Sequence, residues 1–371
     1  MCALVILAAI PVAAMDTVRF QRAGKPQEVV GRLMVTSQDG GVLLMAQDGL
    51  LWAIPPQEKP QVTSDDRPFE ALPADEIARR VLAELPAGFE VHRTQHYLIV
   101  HNTSRGYAQW CGGLFERLYM AFTNYWSRKG FDIKEPELPL VAVIFKDRPA
   151  YLKHAERELG GSADSIIGYY HLLTNRMTMF DLTGTEVLRR GDRTSTAATV
   201  NQVLSRPGAQ ATVATIVHEA THQIAYNCGL HVRLSGCPLW LAEGVAMYFE
   251  TPDLTSERGW RGIGNVNYSR LRQLQKYWGK RPRDSLKALI AGDSRLRDPD
   301  SSLDAYAESW ALVYFLVNQY PRQFGEYLKL VSQKKALIED SEEKRLEEFT
   351  RVFGELEKLD AELARYLNKL R

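Results

Sequence analysis

The stretch VHEATHQ places His218 and His222 four residues apart, with Glu219 next to the first. On a helix, positions i and i+4 share a face, so both imidazoles can reach one metal ion. Glu219 lies about 100° round the same helix, placed to hold a water molecule rather than the metal. The plain alternative is two histidines without a metal. Random placement gives this motif only ~0.01 times in a chain of such length and composition, so the metal reading takes precedence. Zinc in a hydrolytic site takes three protein ligands and keeps a fourth position open. The segment CPLWLAEGVAMYFE supplies the third. Pro238 suits the first turn of a helix. Glu243 follows among Trp240, Leu241, Val245 and Ala246, where a carboxylate needs a cation or a donor to justify burial. Glu250, seven residues on, is either an outer carboxylate behind a ligand or an exposed charge at a helix end. The choice of third ligand stays open between Glu243 and Glu250 at this point.

These residues need a frame. Val213, Ile216, Val217, Ala220 and Ile224 give residues 209–227 a buried helical stripe, and Gly229 stops it. Upstream, FEVHR and HYLIVHN read as strands, and LVAVIF as a strand buried on both faces. Residues 104–129 have helical period, with Trp110, Leu114, Leu118 and Phe122 on one face. A helix over 149–159 leads into IIGYYHLLTNRMTMFDL, a long strand or a hairpin about Thr174-Asn175. Before all of this, residues 18–62 alternate short apolar runs with Asp39-Gly40-Gly41 and Asp48-Gly49, which are hairpin signals. Pro55-Pro56 and the polar stretch TSDDRP are expected to close that β unit. A short helix over 76–85 follows, with Asp75 as its N-cap. After residue 253 the pattern is helical to the end. Phe349, Val352, Leu356, Leu359, Leu363, Tyr366 and Leu370 form a 3-4 stripe interrupted by Gly354, read as a pair of amphipathic helices packed on their own domain. The fold class is therefore α+β. Residues 15–65 form a small β-rich unit, 66–252 a catalytic domain with a mixed sheet, and 253–371 a helical part that completes the cleft.

The 371 residues are 45% hydrophobic and 25% charged, which excludes a disordered or polytopic membrane chain. Lys and Arg number 46 against 45 Asp and Glu, so the basic field of a nucleic-acid binder is absent globally and no nucleic-acid partner is expected. Four cysteines without a CxxC pair argue against a thiolate zinc module. Cys228 and Cys237 bracket the loop between the two ligand-bearing segments, as a disulfide or as two thiols. Residues 1–14, MCALVILAAIPVAA, fit the apolar part of a secretory leader without its basic start, and the expected location is exported. No later stretch has membrane-spanning length.

HEATHQ followed by WLAEGVAMYFE resembles the gluzincins, zinc metallopeptidases of the aminopeptidase-N and peptidase-MA-like type. With HYLIVHN, the long helix, the apolar strand and AYAESWALVYFL, the fuller pattern resembles the DUF 1570 family of zincin-type proteins. The resemblance covers residues 89–366, and it implies a zincin-like fold. It makes His218, His222 and Glu243 the ligands of one Zn²⁺ ion and Glu219 the general base. It also implies a tyrosine that stabilises the oxyanion. Tyr306 is similarly placed, with Tyr169, Tyr170, His171 and His231 as rivals and an ordinary core tyrosine as the bland reading. The zincin edge strand, along which a substrate backbone lies, corresponds to residues 168–181. The GxMEN loop that grips a free amino terminus is absent. The expected function is zinc-dependent, endopeptidase-like hydrolysis of a peptide or protein substrate. A non-catalytic envelope binding or scaffold protein, and a zinc hydrolase of a non-peptide amide, are the alternatives. Retention of Glu219 favours an enzyme.

Overall fold

Gly40 and Gly49 adopt φ of 88° and 86°, a left-handed conformation that glycine takes without steric cost, and each closes a hairpin. The chain, seen in a computed structural model, is described at residues 14–160, 166–183, 196–205, 209–251, 254 and 261–370. The leader read over residues 1–14 lies outside the described residues as far as residue 13. Two compact units are distinguished: Met1–Val81 with Leu172–Asn175, and Leu82–His171 with Arg176–Arg371.

In the first unit, β1 (Ala14–Arg22), β2 (Lys25–Thr36), β3 (Val42–Ala46), β4 (Leu51–Ile54) and β5 (Gln61–Pro68) form an antiparallel sheet in the order β4-β3-β2-β1-β5. Val18, Phe20, Val42, Leu44 and Ile54 are its core. TSDDRP is not a closing loop. It belongs to β5, because β1 offers an open edge to which Thr63 and Ser64 pair through their backbone whatever their side chains. The next helix, α1 (Ala74–Glu84), begins before the expected 76. Asp75 therefore lies in its first turn, where its charge faces the positive end of the helix dipole, and is not the cap.

The second unit holds β6 (Glu90–Arg93), β7 (Tyr97–His101), α2 (Arg105–Arg128), β8 (Leu140–Phe145), α3 (Arg148–Leu159), β9 (Gly168–His171) and β10 (Arg176–Phe180). Its mixed sheet runs β6-β7-β8-β10-β9; β7, β8 and β10 are parallel, and β6 and β9 are antiparallel edges. LVAVIF is the middle strand, buried along its whole length. Of the long strand or hairpin expected about Thr174-Asn175, the hairpin is present, with Asn175 at φ 59°. Then come α4 (Ala197–Leu204), α5 (Gln210–Asn227), α6 (Leu239–Phe249), α7 (Tyr268–Trp278), α8 (Ser285–Ala291), α9 (Ser294–Arg297), α10 (Ser302–Gln319), α11 (Pro321–Ser332), α12 (Glu342–Phe353) and α13 (Leu356–Leu367). The chain is α+β. Gly354, at φ 86°, breaks the C-terminal stripe into α12 and α13, whose Phe349, Phe353, Leu359 and Leu363 are buried in the unit's own core. No helix of the described residues is long and apolar enough to cross a membrane.

Two contacts set the helices that matter for chemistry. The side-chain amide of Gln223 on α5 donates to the carbonyl of Val141 on β8 at 2.9 Å, tying α5 to the sheet. On α6, a Cβ added to Gly244 would meet Val313 Cγ2 at 2.4 Å and the Ser309 carbonyl at 2.7 Å. Glycine there lets α10 approach α6 closely.

Candidate metal centre

His218 and His222 lie on α5 and Glu243 on α6, and their ligand atoms come within 4.8 Å of one another. His218 Nε2 is 3.0 Å from His222 Nε2 and 2.9 Å from Glu243 Oε2, and His222 Nε2 is 3.5 Å from the same oxygen. Donor atoms round a tetrahedral zinc ion stand about 3.3 Å apart, so the three separations fit one small ion. The donor chemistry fits as well: two imidazoles and one carboxylate are a borderline-soft set that leaves a coordination position open. Burial alone would raise the Glu243 carboxyl, but the His222 and His218 imidazoles hold it well below the usual range.

The far side of His218 is occupied by the other carboxylate. Glu250, the C-cap of α6, places Oε1 2.7 Å from His218 Nδ1. Asn267 and Arg270 also donate to Glu250, at 2.8 and 2.9 Å. An acceptor surrounded by donors takes the Nδ1 proton as a hydrogen bond, so the Nε2 lone pair of His218 is left for the cluster. Burial opposes the charge on Glu250, yet His218 and Arg270 pull its pKa down to about 2.

Glu219 stands apart from the three. Its Oε2 accepts the backbone N–H of Tyr170 at 2.9 Å. Tyr170 is opposite Met177 in the antiparallel pairing, and its N–H points away from β10 on the outer side of β9, the edge strand among the described residues. Burial raises the Glu219 carboxyl above its ordinary value, and the two imidazoles oppose that rise. The carboxylate is thus oriented by the edge strand.

Tyr306, on the first turns of α10, is brought to this centre: the Glu243 charge, then burial, then the Glu219 charge push its phenol up, so it stays a donor. The Arg270 guanidinium sits 5.6 Å from its ring centroid. Of the rivals, Tyr169 turns to the opposite face of β9 and donates to Glu158 at 2.6 Å, and His171 packs edge-on against it. The Tyr170 ring stacks on Tyr226 at 5.7 Å. His231 is buried, with Nδ1 3.7 Å from Cys237 Sγ, and burial pushes its pKa down to about 3.

Cys228 and Cys237 are free thiols, not a disulfide. Cys228 caps α5 and hydrogen-bonds with Tyr119, whereas Cys237 faces His231, so the two sulfurs serve different neighbours. Burial drives both thiols up to about 12, which keeps them protonated.

Three residues at or behind the centre are missing from the sequence-based set. Tyr226 is one turn beyond His222 on the ligand face of α5, and that spacing was a usable signal. Arg270 carried no signal, because only the return of the chain after α6 brings it to Glu250. Asp293 is the third. Its Oδ1 accepts the N–H of Leu239 at 3.1 Å and thereby caps α6, whose own N-cap residue is Pro238 with no side-chain cap. Arg345 holds Asp293 in place at 2.7 Å.

Residues 212–338 match the family described as "Protein of unknown function (DUF1570)". That span takes in all three cluster residues together with Glu219, Glu250 and Tyr306. Neither a curated protein nor a solved structure matches the chain. The resemblance to DUF1570 is carried by the segment that builds the centre.

Proposed function

We propose that the protein is a zinc-dependent hydrolase of peptide bonds, of the gluzincin type and endopeptidase-like in its action. The observation that carries the proposal is Glu219: a half-buried carboxylate beside the His218–His222–Glu243 cluster, outside the ligand set and oriented by an edge-strand amide. A protein that only stored a metal would have no use for it. Zinc held by the three residues would supply a Lewis acid and a nucleophile at neutral pH. Glu219, with its raised affinity for protons, accepts a proton from water and delivers it to the leaving amine. Tyr306 offers its phenolic proton to the oxyanion, a contact stronger in the transition state than in the ground state.

The peptide reading rests on β9. β9 is the edge strand of the sheet among the described residues and adjoins Glu219, and an extended chain adding to such an edge is held through backbone hydrogen bonds. Absence of a GxMEN loop favours cleavage within chains over release of single terminal residues. An apolar leader over residues 1–14 goes with an exported hydrolase.

The test is metal analysis of the purified protein together with a peptide-library cleavage assay, with and without chelator. One zinc per chain and chelator-sensitive cleavage are expected. Zinc binding without any cleavage would return the protein to the binding or scaffold class.

A further inference from the structure

Glu250, which accepts from His218, also lines a cavity of about 1040 Å³. Ala211 and Ala214 of α5 line it. They stand seven and four residues before His218, on the same helix face, so the cavity continues the ligand face of α5. Such a volume is ample for a side chain of a bound peptide.

Among the described residues that line it, the charge is one-sided. Glu250 is the one carboxylate among the described residues that line the cavity, and His218, Asn267 and Arg270 already engage it. Arg261 and Arg272 line it too, and both are exposed. Arg272, projecting from the first half of α7, makes no ion pair or hydrogen bond with any described residue. Tyr268, 64% exposed, stands beside it with a phenol able to donate. A cation with a neighbouring hydroxyl at the mouth of a cavity suits a carboxylate.

We infer that this cavity is a subsite for an acidic side chain, aspartate or glutamate, of the peptide whose backbone passes the metal centre. The inference rests on the peptide-hydrolase reading and adds its substrate class. The preference arises because an acidic side chain meets Arg272 without displacing an existing partner. A lysine would face two arginines, and Glu250 could answer it only by giving up His218 or Arg270.

The test is binding, measured by fluorescence anisotropy of labelled peptides on the full-length Glu219→Gln protein, loaded with zinc. Peptides are matched except for one position, which carries Glu, Gln or Lys and is moved stepwise along the sequence. At one position the Glu peptide should bind about 5–10-fold tighter than the Gln peptide, and the gap should shrink as salt is raised. Arg272→Gln should erase that gap, and Arg272→Glu should make the Lys peptide the tighter one. Both variants should melt with the parent, since the Arg272 side chain is exposed and makes no ion pair or hydrogen bond with any described residue. Equal binding of Glu and Gln peptides at every position, or a gap that survives Arg272→Glu, overturns the subsite. Cleavage by the wild type without acidic preference would sink the subsite and leave the hydrolase standing. Selective binding without cleavage by the wild type would do the reverse.

Discussion

His218 Nδ1 and Glu250 Oε1 are 2.7 Å apart, and Glu243 Oε2 approaches the opposite nitrogen of the same ring at 2.9 Å. One imidazole therefore separates two carboxylates of one helix, and the separation assigns them different work. Glu243→Gln should release most of the metal at neutral pH, because an anionic ligand is lost from a three-residue set. Glu250→Gln should keep it with about 10–100-fold lower affinity, since the ring loses only its orienting acceptor. Zinc per chain after dialysis against a weak chelator distinguishes the two. A fully loaded Glu243→Gln beside an empty Glu250→Gln would exchange the roles.

Glu219 is bound to the Tyr170 amide and not to the ligand cluster. Glu219→Gln should accordingly hold a full complement of zinc while turnover falls by several orders of magnitude. The amide of glutamine can still accept the Tyr170 N–H, so the fold and the edge strand are left undisturbed. Metal content and cleavage rate measured on one preparation settle the role; joint loss of metal and activity would place Glu219 among the ligands.

Which parts of this arrangement were legible beforehand follows from how each is encoded. His218 and His222 announce a shared face because the helix repeat is local, and Glu243 shows as a charge inside an apolar run. LVAVIF reads as a buried strand for the same reason: its pattern is complete in six residues. TSDDRP shows the opposite case. It becomes a strand only because β1 presents unpaired backbone to it, and no property of Asp65 or Ser64 foretells that. Arg270 and Asp293 were illegible on similar grounds. Each serves the centre across a return of the chain, and an exposed-looking charge in sequence carries no mark of the partner that tertiary folding brings.

The turn between β6 and β7 is fastened to α2 by Glu116, which accepts from Thr94 Oγ1 at 2.6 Å and from the His96 backbone at 2.7 Å. Burial opposes its charge, yet these bonds and the His96 ring lower its pKa below the ordinary value. A carboxylate depressed on folding contributes stability that is present above its unfolded pKa and lost as pH falls through the folded one. The protein should therefore lose stability on acidification below about pH 5, and Glu116→Gln should be less stable at neutral pH with a shallower decline there. Urea melts of both proteins from pH 7 to pH 3 check this. Parallel pH profiles would remove Glu116 from the account.

Asp293 is 54 residues from Leu239 in sequence yet caps the first turn of α6, while Arg345 grips the same oxygen. Glu243 lies a little more than one turn further along that helix. Asp293→Ala removes the cap and leaves the buried Arg345 without its carboxylate, so a stability loss of about 1–3 kcal/mol is expected. The loosened first turn should also weaken zinc holding several-fold, although Asp293 touches no ligand. Asp293→Asn keeps an acceptor for the Leu239 N–H and should recover most of the zinc affinity while remaining less stable than the parent, because only the ion pair is lost. Thermal melts of the metal-free proteins separate the two contributions, and zinc competition against a coloured chelator reads the second. Unchanged zinc affinity in Asp293→Ala would mean that packing against α10 alone, through Gly244 and Val313, sets the position of Glu243.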